Sequence, residues 1–269
     1  MSTSWKNLSR HQAHCIWEAL PVARRETYLR IAEQHGACDA QAILLAMQLY
    51  VWNGDLAAAV DRATGEVEVY LRNFIDKSFS QWNESSVAGT HEWLTQPASP
   101  LTKLVNTSRG SILSLAHTDT VRGKPTHHDY VAGLSFGTWV HLLPRPHAGS
   151  KNAHVRLWRE ALEPKLGTSD RVNFQRQAMR IKDMRNRATH RRPLVKDIKS
   201  LSQVHRDSVE ILRAIDHHLG EWFRIQKWIP VVLNDSPLPQ IEKRFPVTAD
   251  RKIAPSFMLG ARAYLPFGA

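Results

Sequence analysis

The stretch from Ser169 to Pro193, SDRVNFQRQAMRIKDMRNRATHRRP, decides how the chain reads. Phe174, Ala178, Ile181, Met184 and Ala188 recur at spacings of three and four, so they form one apolar stripe along a helix that Ser169 or Asp170 caps. Pro193 disfavours helical geometry in the residue before it, which stops the helix by Arg192. The last turns carry Arg185, Asn186, Arg187 and His190. A core-packed helix that ends this way is rigid on one side and open to a ligand on the other, which suits a site.

Outward from this helix the same period recurs and strand-like alternation is scarce, so the fold class is all-α. Asp39 caps a helix over Ala40 to Trp52 that ends near Asn53-Gly54. Asp55 then caps a longer one reaching to about Trp82, with Leu56, Val60, Val67, Leu71, Phe74 and Phe79 on its stripe and Gly65 weakening its middle. Residues 83–130 are rich in Ser, Thr, Pro and Gly and read as mobile connections, with short helices near Leu101 to Val105 and Ser111 to Ala116. Tyr130 to Leu143 is apolar again and stops before Pro144. A helix over Asn152 to Leu166 carries Trp158. A last long helix from Val195 to Trp228 shows Ile198, Leu201, Val209, Leu212, Ile215, Leu219 and Phe223. The tail over residues 230–269 holds six of the fourteen prolines and reads as wrapping the surface or partly disordered. The expected organisation is one helical domain over residues 1–229, its core at about 25–225, followed by that tail.

The formal charge is +11, and arginine supplies 24 of the 36 basic residues. That excess is most simply explained by a phosphate-backbone partner, because arginine makes planar, bidentate contacts to phosphate; added solubility is the alternative. Cys15 and Cys38 lack the spacing of a zinc site or a disulfide framework and read as buried free thiols. The start of the chain has no apolar core of signal-peptide length, and the longest apolar stretch, around Ala42 to Trp52, is too short to span a bilayer. A cytoplasmic location without membrane attachment is the expectation. There is no phosphate loop, no dinucleotide fingerprint and no nucleophile elbow. His127-His128-Asp129 and Asp216-His217-His218 each supply half a metal site at most, so neither metal nor cofactor is expected.

An arginine followed five positions later by a histidine occurs four times: Arg30/His35, Arg122/His127, Arg185/His190 and Arg213/His218. Spacing therefore cannot choose among them. Arg122/His127 sits in a Gly-Lys-Pro-Thr loop that reads as surface, Arg30/His35 ends a helix before Gly36, and Arg213/His218 lies within a long helix. At Arg185/His190 a histidine that can titrate near neutrality stands beside Asn186 and among Arg185, Arg187, Arg191 and Arg192, with Lys182 nearby. RNA cleavage needs a proton shuttle and cations for the phosphate, and this group supplies both. A basic helix end that only solvates or caps carbonyls remains the plain alternative.

Met184 to Leu194, MRNRATHRRPL, resembles the signature of the Abi-like (abortive infection) proteins of the HEPN superfamily. Leu134 to Trp139, LSFGTW, resembles the same family's LSFGFW segment. Trp52-Asn53 and Glu68 to Asn73, EVYLRN, resemble its earlier motifs, and Arg156-Leu157-Trp158 falls in order between the others. The resemblance spans residues 25–225 and implies a HEPN-type helical bundle with additional helices and long loops. It further implies a homodimer whose two RNxxxH motifs form one metal-independent RNase site, in phage defence or as a toxin restrained by a protein or regulatory RNA. Carried over by position, Arg185 and His190 are catalytic with Asn186 beside them. Glu68, Arg72 and Asn73 buttress the site or form an ordinary buried polar network. Lys182, Arg187, Arg191 and Arg192 would hold RNA. Arg191 and Arg192 stand where the family commonly has a second His and a Glu, and Thr138 replaces an aromatic. A HEPN-type module that binds RNA or protein without cutting is the alternative.

Overall fold

The computed structural model describes residues 5–108, 110–118 and 123–238. These form helices α1 (Arg10–Ala19), α2 (Val22–Gln34), α3 (Asp39–Glu84), α4 (Thr102–Val105), α5 (His127–Gly133), α6 (Phe136–Leu142), α7 (Ala153–Leu157), α8 (Arg171–Thr189), α9 (Ile198–Ile215), α10 (His217–Gln226) and α11 (Trp228–Asn234). One two-residue antiparallel ribbon joins β1 (Asn106–Thr107) to β2 (Gly110–Ser111). The all-α expectation holds.

The spine is α3, a single helix of 46 residues where the sequence suggested two. Asn53 and Gly54 do not break it. Asn53 is only 4% exposed, and its side chain is turned outward to the turn after α8, where it accepts from the Leu194 and Val195 N–H groups and donates to the Arg192 carbonyl. It therefore does not compete for its own helix backbone. Trp52 and Leu56 on either side are fully buried. Burial of that size outweighs the roughly 1 kcal/mol by which glycine disfavours a helix interior. By length and composition α3 could cross a membrane, unlike the shorter segment expected, and half of its most apolar window is buried inside this fold. Helices α1, α2, α8, α9 and α11 all pack on it, so it carries apolar residues on several faces.

Part of the stretch expected to be mobile contributes to the core. Trp93, Leu94, Leu101, Leu104 and Val105 are buried, and the buried Asn83 side chain holds the chain there through the Thr90 and Gln96 carbonyls and the Ala98 N–H. The expected long C-terminal helix is instead divided. Asp216 caps α10 by accepting the Leu219 N–H at 3.0 Å, and Lys227 takes a left-handed conformation between α10 and α11. The α9–α10 crossing is so close that a Cβ on Gly220 would lie 2.7 Å from the Arg213 backbone, so the position requires glycine.

The domain also runs past residue 229. Helix α11 buries Ile229 and Leu233, and Trp52 donates its indole N–H to the Val232 carbonyl at 2.9 Å. The rest of the expected Pro-rich tail, from residue 239 on, lies outside the described residues. The helix expected over Asn152 to Leu166 is α7 continued by a π turn over Trp158–Leu162 and a 3-10 turn over Glu163–Lys165. Cys15, on the solvent face of α1, and Cys38, the residue before α3, are exposed free thiols, not buried ones.

Candidate active site

The stretch from Ser169 to Pro193 contains α8. Asp170 caps it by accepting the Asn173 N–H at 3.0 Å, and Phe174, Ala178, Ile181, Met184 and Ala188 are buried as their spacing requires. Its C-terminus closes in a Schellman motif. The Arg191 N–H donates to the Ala188 carbonyl at 2.8 Å and the Arg192 N–H to the Arg187 carbonyl at 2.9 Å. Arg191 occupies the left-handed position, at φ 49°, where glycine is usual. Asn53 fixes the chain immediately beyond, and Thr189 Oγ1 donates to Asp61 Oδ1 of α3 at 3.2 Å. His190, the residue after α8, is exposed at the end of this anchored turn.

Arg185 lies one turn earlier, with its guanidinium 3.7 Å from the Glu68 carboxylate of α3. The backbone N–H of Phe136, at the start of α6, also favours the charged form of Glu68. Ser135 caps α6 by accepting the Thr138 N–H, while Phe136 and Trp139 are fully buried and hold that helix start in place. Three segments distant in sequence, around residues 68, 136 and 185, thus meet at one carboxylate. Burial pushes Glu68 above the usual carboxylate range, even though Arg185, Arg72 and the Phe136 N–H all pull it down.

The other candidates divide by what already holds them. Arg187 pairs with Asp197, the cap of α9, at 3.0 Å, and Lys182 pairs with Asp183 at 2.9 Å with its side chain only 13% exposed. Asn186, Arg191 and Arg192 are exposed. Arg72 lies close enough to Glu68 to act on it, but its Nε is buried without a hydrogen-bond partner. Asn73 is exposed and five residues on from Glu68, about 140° around the helix, so it faces elsewhere. The same arithmetic separates Arg185 from His190 by about 140°, whereas Asn186 and His190, four apart, share a face.

Sequence reasoning missed several polar groups. Asp207 is fully buried, accepts from Nε and Nη2 of Arg180 at 2.7 and 2.9 Å, and accepts from Gln203. The bond to Asp207 raises Arg180 above its already high value. The half-buried His205 ring stacks on Phe223, and desolvation pushes it down to about 4. His127 is also misread: its side chain is 9% exposed, not on the surface, and it opens α5. Its signal was present in Thr126-His127-His128-Asp129, since Thr126 and Asp129 form a capping box that starts a helix in that loop. Arg122, its partner by spacing, lies outside the described residues. Among the described residues, no group of three His, Cys, Asp or Glu side chains is arranged to hold a metal ion.

Comparison of the chain with family models, with curated proteins and with solved structures returns no match.

Proposed function

We propose that the chain is a metal-independent endoribonuclease of HEPN type, acting through Arg185 and His190. The observation that carries the reading is the meeting of Glu68, Phe136 and Arg185, one residue from each of three motif-like segments, on the helix that ends at the exposed His190. Arg185 would stabilise charge on the non-bridging phosphate oxygens, and His190 would move the proton as the RNA 2′-hydroxyl attacks the adjacent phosphate. The oxygen–phosphorus bond to the 5′ carbon's oxygen breaks, leaving a 2′,3′-cyclic phosphate and a 5′-hydroxyl. Because the two side chains diverge on the helix, one protomer's Arg185 would work with its partner's histidine across a homodimer. Arg191 and Arg192 supply free cations for the backbone, while Lys182 and Arg187 contribute to the field from within ion pairs. A cytoplasmic role in phage defence, or as a toxin restrained by an antitoxin protein or regulatory RNA, follows from the resemblance.

One observation favours a second reading. Glu68 already occupies Arg185 and competes with phosphate for it, as suits a module that binds RNA or protein without cutting. Purified protein with single-stranded RNA in EDTA separates the two. The nuclease reading expects cleavage to persist in EDTA and to fall about 10²- to 10⁴-fold in Arg185→Ala and in His190→Ala. Binding without cleavage by the wild type, or full activity in His190→Ala, would sink it.

A further inference from the structure

About 460 Å³ of open cleft lies beside the C-terminal part of α3, lined by Asp76, Lys77, Glu92 and His127 among others. The His127 ring spans it. Its Nε2 lies 2.8 Å from Asp76 Oδ1, which also accepts the Trp93 indole N–H at 2.8 Å, and its Nδ1 faces Glu92 Oε2 at 3.6 Å. Asp76 can only accept, so Nε2 carries a proton and the titrating nitrogen is Nδ1. That nitrogen is buried, on a side chain nine-tenths out of solvent, and has no hydrogen-bond partner.

We propose that Asp76, His127 and Glu92 form a proton-operated clasp that fastens α5 and the segment around Trp93 to α3. With both ring nitrogens protonated, the imidazolium bridges two carboxylates supplied by different parts of the chain. When Nδ1 loses its proton, its lone pair faces the Glu92 carboxylate, two acceptors meet, and the Glu92 side of the clasp lets go. Glu92 is free to move because its side chain is 44% exposed, whereas Asp76 is held by Trp93.

The charges around the ring agree. From α3 come Asp76 and Lys77, from the loop His91 and Glu92, and from α5 His128; His91 is itself paired with Glu84 at 2.8 Å. Trp139 of α6 packs behind Trp93 and brings no charge. Burial opposes a charged His127, but the bond to Asp76 and the two carboxylates outweigh it and raise the ring above its ordinary value. A group raised on folding stabilises fully below its unfolded value of 6.5 and loses that contribution as pH rises through its folded midpoint. The clasp is therefore closed in acid and open in base.

The test uses the full chain with ¹⁵N-labelled histidine and tryptophan, titrated by NMR from about pH 5 to about pH 9. The His127 midpoint should exceed 6.5, fall in Glu92→Gln, and be shared by the Trp93 indole N–H, which Trp93→Phe identifies. Amide exchange at residues 91–94, corrected for intrinsic base catalysis, should quicken several-fold above that midpoint. It should lose that pH step in His127→Gln, whose amide can still donate to Asp76. A midpoint at or below 6.5, a midpoint indifferent to Glu92→Gln, or a step that survives in His127→Gln would each overturn the clasp.

Discussion

Two histidines that share one sequence spacing ended in opposite environments. His190 caps a core helix, exposed, with its position set by bonds made to the backbone around it; His127 is enclosed between two carboxylates and an indole, with its ring held directly. At the end of α8 the protein fixes the chain and leaves the side chain free, which is how a group stays available to a ligand. In the cleft beside Asp76 it fixes the side chain, which makes the group part of the packing and ties its protonation to stability. Exposure at an anchored turn, and not spacing, separates a candidate catalytic histidine from a structural one.

The sharpest way to break that contrast is to remove the anchor. Asn53→Ala leaves the buried Leu194 and Val195 N–H groups without an acceptor and should cost about 2–6 kcal/mol, since each buried unsatisfied group costs roughly 1–3. Urea denaturation measures it, and RNA cleavage should fall with it because His190 loses its fixed position. A variant as stable as wild type would show that the turn does not depend on α3.

Next in size is the pair of histidine truncations. His127→Ala takes from the half-buried Asp76 carboxylate one of its two donors, leaving only the Trp93 indole N–H, and should lower stability by about 1–3 kcal/mol, while His190→Ala, at an exposed position, should stay within about 0.5 kcal/mol. Cleavage should show the reverse order. Equal losses of stability in the two would erase the distinction.

The smallest effect is expected at Arg191. A non-glycine residue in the left-handed region costs roughly 1–2 kcal/mol, so Arg191→Gly should gain up to about 1 kcal/mol, glycine's extra freedom in the unfolded chain offsetting the rest. The same change removes one exposed cation. The slope of log K against log salt for RNA binding should therefore shrink by about one unit if Arg191 touches phosphate.

How much of this was legible follows from the range of the interactions involved. The α8 stripe, its Asp170 cap and its stop before Pro193 are local, and the structure keeps each of them. Helix spacing and capping depend on residues within a turn or two, so the sequence alone determines them. Asn53-Gly54 misled because a local break signal was overridden by partners some 140 residues away. At His127 the Thr126–Asp129 capping box announces the helix start but not the burial of the ring, because Asp76 is 51 residues distant.

By itself the sequence determined that the chain is helical, strongly basic and equipped with a cationic helix end containing Arg185 and His190. Only the tertiary structure decided which charges are free. It placed Glu68 against Arg185, engaged Lys182 and Arg187 in ion pairs, left Arg191, Arg192 and His190 exposed, and closed two carboxylates on His127. The physical reason is that a residue's type fixes the charge it can carry, whereas burial and partners, which packing alone supplies, fix what that charge can do.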